Sequence, residues 1–222
     1  MQGKLIVLEG TDGSGKATQA ALLTEKLKQA GKKVRKVSFP NYDSPSSALV
    51  KMYLDGAFGQ KPDDVNAYAA SCFYAVDRFA SFRADWGQFY AEGGIIVADR
   101  YTTSNAVHQC VKLPQAEWER YLGWLFTFEY EQLGIPAPDL VCYLRVDPAL
   151  SQDLMRKRYA GDESRKDIHE KDSGYLIRAR EAADHCAERL GWQVIECTEQ
   201  GAMKPIETVH ALVWEQVQKL GI

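Results

Sequence analysis

The chain lacks the marks of several protein classes. Its five cysteines, Cys72, Cys110, Cys142, Cys186 and Cys197, are odd in number and widely spaced, and none forms a C-x2-C pair. That argues against a disulfide framework and against the common zinc and redox motifs. Their apolar surroundings fit buried, reduced thiols of a cytoplasmic protein. No apolar run approaches the ~18 residues that a membrane helix needs. No charged and then apolar leader precedes the first strand, so cytoplasmic location and no membrane partner are expected. Charge of one sign is also scarce. Lys and Arg number 27 against 30 Asp and Glu, a net charge of -3. A general affinity for nucleic acid polymers is therefore not expected, and any phosphate recognition must be local. Repeats and low-complexity tracts are absent. What is left is 222 residues, 45% hydrophobic, enough for a single α/β domain with a full core and a lid.

Residues Leu5 to Thr18 read LIVLEGTDGSGKAT. An apolar run enters Gly10-Thr11-Asp12-Gly13-Ser14-Gly15-Lys16, and a helix-forming segment follows: the strand, glycine-rich loop and helix of a P-loop. Glycines let successive backbone N–H groups curl into an anion-binding nest. The helix adds its N-terminal partial positive charge. Lys16 supplies a mobile point charge for β and γ phosphates. One position departs from the motif. Ala17 stands where a Ser or Thr hydroxyl usually meets Mg²⁺. Three readings are open there: metal held by water and carboxylates, partial replacement by Thr18, or nucleotide binding without efficient catalysis.

Strands and helices alternate along the chain. Strands are expected at 4–9, 33–38, 94–99, 139–147 and 192–197. Helices are expected at 16–30, 46–55, 63–91, 102–110, 115–133, 148–157, 173–190 and 203–219. In the long helix 63–91, Val65, Ala69, Cys72, Phe73, Val76, Phe79, Trp86 and Phe89 keep the three-four spacing of a core-facing stripe. Gly94 to Asp99 is continuously apolar before its acid, as in a strand covered on both faces. The pattern is an α/β fold, a five-stranded parallel sheet with helices on both faces. Ligands of such sheets bind beyond the carboxyl ends of the strands, and the motifs cluster there.

Asp99-Arg100-Tyr101 ends the third strand, where an acid can orient a Mg²⁺ shell and an arginine fork can grip phosphate; a plain surface ion pair is the alternative. Tyr101, Asn105 and His108 share one face of the next helix and could meet a base or sugar. Tyr74 and Arg78 are i, i+4. They could stack on and hydrogen-bond a base, or be a core aromatic beside an Arg paired with Asp77. Arg156-Lys157-Arg158 and Arg165-Lys166 flank Gly161-Asp162-Glu163-Ser164. The segment of about 156–172 could close over a triphosphate or remain a solvated charged loop.

With these residues in place, the chain resembles the thymidylate kinase family. The resemblance rests on the loop Gly10 to Lys16, Phe39-Pro40, Asp77-Arg78, Asp99-Arg100-Tyr101 with Ser104-Asn105, Pro138-Asp139 and the run Asp167 to Asp172. It implies a three-layer P-loop NTPase fold with a short lid, and transfer of the γ-phosphate of ATP to dTMP with Mg²⁺. ATP would lie on Gly10, Thr11, Asp12, Gly13, Ser14, Gly15, Lys16, Ala17 and Thr18. Asp12 and Asp99 would serve the metal. The monophosphate would meet Phe39, Tyr42, Tyr74, Arg78, Arg100, Asn105, His108 and Glu170. Ser14 in the loop implies that the catalytic cation comes from the lid, with Arg158 and Arg165 as first candidates beside Lys16, Asp12 and Arg100. A homodimer is implied as well. A kinase for another nucleoside monophosphate and a non-catalytic nucleotide sensor are the competing readings.

Overall fold

The computed structural model describes residues 2–158 and 174–222, the side chains of 155–158 excepted. Five parallel strands form one sheet: β1 (Lys4–Glu9), β2 (Val34–Ser38), β3 (Ile95–Asp99), β4 (Leu140–Arg145) and β5 (Gln193–Glu196). Their order is β2-β3-β1-β4-β5. The strand entering the glycine loop is thus central, with β3 and β4 beside it. Successive side chains of a strand point to opposite faces. Leu5 and Val7 enter one core with Trp86, Tyr121 and Ala179, while Ile6 and Leu8 enter the other with Leu23, Leu27 and Val213. Both faces are covered, which explains the apolar runs of β1 and β3.

The helices are α1 (Lys16–Gln29), α2 (Ala48–Leu54), α3 (Ala67–Ser81), α4 (Gly87–Ala91), α5 (Thr102–Cys110), α6 (Trp118–Phe126), α7 (Pro148–Arg158), α8 (Tyr175–Leu190) and α9 (Ile206–Gln218). Among the described residues none is long and apolar enough to cross a membrane. Two expectations change. The helix of 63–91 is α3 and α4 joined by a π turn at Phe82–Trp86, and that of 115–133 is a 3-10 turn and α6 followed by a π turn at Thr127–Gln132. The core-facing stripe of α3 is also different. Ala67, Ala70, Ser71, Ala75, Asp77, Arg78 and Ser81 are the buried positions, whereas Val76 is 49% and Phe79 37% exposed. Polar residues occupy the inward face because they have partners on other segments, Ser71 with Tyr121, Asp77 with Asn41 and Ser46, and Arg78 with Glu129, so hydrophobic spacing alone pointed to the outward stripe. A hairpin of β6 (Thr198–Glu199) and β7 (Ala202–Met203) was not expected. Its turn residues Gln200 and Gly201 both have positive φ, 50° and 76°, as a two-residue hairpin turn of type I′ requires.

All five cysteines are free thiols, and Cys72 alone is more than slightly exposed.

Candidate active site

The loop after β1 is shaped by its glycines. A Cβ on Gly10 would lie 2.6 Å from Ser14 Oγ and 2.8 Å from the Leu144 carbonyl. Gly15 caps α1 at φ 88°, with no side chain closing the helix N-terminus, so the first-turn N–H groups face the loop. Lys16 is 7% exposed, and its Nζ donates to the Thr11 carbonyl at 2.8 Å. Burial above all, and then Arg100, push its pKa down to about 8 against the pull of Asp12, Glu9 and Asp99. Ala17 and Thr18 lie exposed on the first turn of α1.

Beside the loop, the end of β3 delivers Arg100 from a left-handed backbone, φ 66°. A non-glycine residue there is strained by roughly 1–2 kcal/mol. The strain aims the guanidinium back over the strand ends. Nη2 donates to Asp12 Oδ1 at 2.5 Å, and Nη1 to Ser104 Oγ at 3.3 Å. His108 Nε2 lies 3.1 Å from Nη1. Burial would raise the Asp12 carboxyl, but Arg100 and then Lys16 outweigh it and hold it well below the usual range. Its side chain is still 32% exposed, so it can meet an incoming ligand. Ser151 Oγ donates to the Asp12 carbonyl, tying α7 to the loop.

Sequence reasoning missed Glu9, the last residue of β1. It is fully buried. It accepts from Gly10 N–H at 2.9 Å, Thr103 Oγ1 at 2.6 Å and Ser104 Oγ at 2.8 Å, and lies 3.7 Å from Arg100 Nη1. It anchors the loop and the start of α5 to one carboxylate. An acid closing an otherwise apolar strand was the available signal.

A pocket opens from this centre. Asp12, Phe39, Tyr42 and Tyr74 line it, with Arg78, Arg100, Asn105 and His108. Eight of the residues expected at the monophosphate or the metal thus share one cleft. Tyr101 lines it as well, although its ring is buried in the core and its hydroxyl donates to Pro136 O. Phe39 packs on Tyr101, centroids 5.9 Å apart. Tyr74 meets Tyr53 edge to face. Arg78 is 1% exposed and pairs with Glu129, not with Asp77. Asp77 instead accepts from Asn41 N–H and Ser46 Oγ, at 2.7 and 2.6 Å, and so fixes the loop that follows β2. Glu129 also accepts from Thr102 Oγ1 and, at 3.4 Å, from Asn105 Nδ2. It escaped the sequence reading, though an acid four residues after Leu125 on the buried stripe of α6 was a signal. Gln109 was missed too. It is 1% exposed, lines the pocket, and its Oε1 has no partner among the described residues.

Asp99, at the end of β3, is half-buried. Among the described residues no three His, Cys, Asp or Glu side chains form a metal-holding group. A metal that arrives on phosphate oxygens needs only one or two carboxylates; of the two expected there, Asp12 lines the pocket and Asp99 does not. Arg165, Glu170 and the side chain of Arg158 lie outside the described residues.

A parallel sheet, a glycine loop opening a helix, a buried lysine and an arginine at the neighbouring strand end define a P-loop kinase of the nucleoside monophosphate class. Residues 8–213 match the family model described as Thymidylate kinase, and the chain belongs to the thymidylate kinase family. It is an ATP-dependent phosphotransferase. It is 30% identical over 171 residues to the thymidylate kinase of Mycobacterium tuberculosis, covering 76% of this chain and 78% of the relative. It is 28% identical over 215 residues to the human enzyme, covering 94% and 87%. The thymidylate kinase structure from Candida albicans superposes with a TM-score of 0.72 at 20% identity, over 99% of this chain and 93% of that one, a likeness of fold.

Proposed function

We propose that the cleft binds dTMP with its phosphate toward Arg100 and its base between Phe39, Tyr74, Arg78 and Asn105, while ATP lies on residues 10–18. The observation that carries this is the Arg100–Asp12 contact at 2.5 Å. It sets the acceptor-side cation against the glycine loop, where donor and acceptor phosphates must meet. Transfer then needs no covalent intermediate. An oxygen of the dTMP phosphate attacks the γ-phosphorus, the β–γ bridging bond breaks, and ADP and dTDP result. Arg100 holds the acceptor, Lys16 and the loop amides hold the donor, and Asp12 fixes Arg100. Holding both reactants in line supplies much of the rate. Mg²⁺ on Asp12 and Asp99 would neutralise the donor oxygens. Arg158 and Arg165 are the candidate transition-state cations, Glu170 the candidate ligand of the sugar, and the segment 156–172 the lid of a single domain spanning 1–222. Tyr42 sits at the rim beside the expected phosphate position, and His108 faces the sugar.

We assign the protein to the cytoplasm, in dTTP synthesis, and to a homodimer. The exposed apolar residues Val76 and Phe79 on α3, with Leu49 and Met52 on α2, support the dimer.

The test is ADP release with ATP and Mg²⁺ over dTMP, dUMP, dCMP, dGMP, UMP and thymidine. Strong preference for dTMP supports the reading. Preference for another acceptor overturns the roles of Tyr74, Arg78 and Asn105.

A further inference from the structure

The end of the cleft lined by Leu54 and Tyr74 rests on a core of its own. Tyr53 and Ala70 are buried there, with Leu54, Val65, Phe73 and Tyr74 packed against them, apart from the two cores that flank the sheet. A cluster this small buries little area, so burial alone holds it loosely. One cation reaches into it. Lys112, just beyond α5, donates from Nζ to Tyr53 Oη on α2 at 2.7 Å and to the Val65 carbonyl at 3.0 Å. Val65 directly precedes Asn66, whose side chain caps α3 by accepting from Ala69 N–H. Lys112 Nζ also lies 4.9 Å from the centroid of the Tyr53 ring, an attractive place for a cation. Burial pushes the Lys112 pKa down to about 8 against the pull of Asp63, so at neutral pH the group stays charged while withdrawn from bulk water. Tyr53 in turn meets Tyr74 edge to face, with centroids 6.4 Å apart. One ammonium thereby ties α2 and the start of α3 to the end of the helix that carries Asn105.

We propose that Lys112 is a positioning residue for the acceptor base, acting through Tyr53 on the ring of Tyr74. The proposal rests on reading this cleft as the seat of the dTMP base. A base that stacks on Tyr74 needs that ring held at one height and tilt against α5, which supplies Asn105. The helices α3 and α5 are joined at Ser71, whose carbonyl accepts from Asn105 Nδ2 at 3.2 Å. The Tyr53 ring against which Tyr74 packs comes from α2, and Lys112 Nζ links it to α5. Hydrogen bonds from a charged donor are the stronger kind, and water replaces them poorly in a mostly buried place. Loss of the ammonium therefore loosens the neighbour that holds Tyr74. Lys16 and Arg100 lie outside this chain of contacts, so ATP binding and the transfer step are left alone. Lys112 does not itself line the cleft, and no contact with a nucleotide is required.

Lys112→Met keeps the stem and removes the donors, and Tyr53→Phe keeps the ring and removes the acceptor. Calorimetric titration with dTMP, and separately with ATP, compares them with the wild type. The Kd for dTMP should rise about fivefold in either variant, the size of one hydrogen bond, while the Kd for ATP and kcat are unchanged. The double variant should lose less than about tenfold, where independent effects would multiply to about twenty-five. Wild-type dTMP binding in both single variants, even with a lower melting temperature, overturns the proposal and leaves Lys112 a brace of the fold alone. So do dTMP and ATP constants that rise together, or a double variant that shows the full product. Should Lys112→Met fail to fold, Tyr53→Phe decides by itself on the same terms. The wild type tests the underlying reading separately. If it does not bind dTMP, that reading fails, and the same variants are titrated with the monophosphate that the acceptor panel selects, whose base Tyr74 would hold in the same way.

Discussion

Arg78 donates from Nε and Nη2 to the two oxygens of Glu129, at 2.7 and 2.6 Å, and neither side chain is more than 2% exposed. The fork-to-fork geometry is the strong form of this contact. It makes this end of the cleft rigid, because Glu129 also holds Thr102 and Asn105. Burial alone would lower the Arg78 pKa. Glu129 outweighs it and keeps the guanidinium charged. Glu129→Ala leaves that charge buried and alone, at an expected cost of ~3–5 kcal/mol. Urea denaturation measures it. A loss under about 1 kcal/mol would mean that water reaches Arg78.

Arg100→Ala and Arg100→Gly both remove the guanidinium, so both should lose ~10³-fold or more in kcat/KM. They differ in the backbone. Glycine accepts φ 66° freely, so Arg100→Gly should be more stable than Arg100→Ala by roughly 1 kcal/mol. Equal stability of the two would show that the conformation carries no strain.

Lys16, pushed down to about 8 by burial first and Arg100 second, is increasingly neutral above that pH. Its buried ammonium destabilises the fold below pH 8, and this effect fades as pH rises from about 8 toward the ordinary 10.5. Donor phosphate favours the charged form. ATP binding at pH 8.5 should therefore take up a proton and weaken as pH climbs. Calorimetry in buffers of different ionisation enthalpy reads the uptake. Lys16→Met should abolish it, and a wild type without uptake would contradict the assignment.

Gln109 presents a buried Oε1 without a partner among the described residues. Removing such a group restores its desolvation penalty, ~1–3 kcal/mol. Gln109→Leu should thus melt at or above the wild-type temperature, yet raise the dTMP KM about tenfold through the lost polar contact. An unchanged KM would place Gln109 outside substrate recognition.

Phe79→Glu, on the exposed stripe of α3, should leave folding intact and shift the mass from dimer to monomer in sedimentation. A wild-type monomer, or a dimer indifferent to Phe79→Glu, would refute the assignment of this face.

What the sequence revealed follows contiguity. Gly10 to Lys16 and Asp99-Arg100 are readable because the chemistry lies in adjacent residues, and the strand-helix alternation because burial has a period. The partners of Glu129 and Asp77 were opaque for a common reason. Each acid is buried by a partner from a distant segment, Arg78 in one case and the Asn41–Ser46 loop in the other. One sequence carries no trace of such pairings. Val76 and Phe79 show the converse. Hydrophobic spacing reports which stripe avoids water, not whether this chain or another covers it. The hairpin of β6 and β7 is too short for a periodicity to register.

The π turn at Phe82–Trp86 sets the phase of the helix on either side of it. Each residue of an α-helix turns the axis by about 100°, so Arg78 and Trp86, eight positions apart, would face about 80° away from each other on a regular helix. A π turn holds a residue more per turn than an α-helix. It absorbs one position, and both side chains are buried. Losing a single residue from Arg83 to Asp85 would therefore let α3 and α4 join as one regular helix with Arg78 and Trp86 still in phase, whereas inserting one would rotate the indole by about 100° relative to the arginine. In this stretch the chain tolerates a residue less but not a residue more.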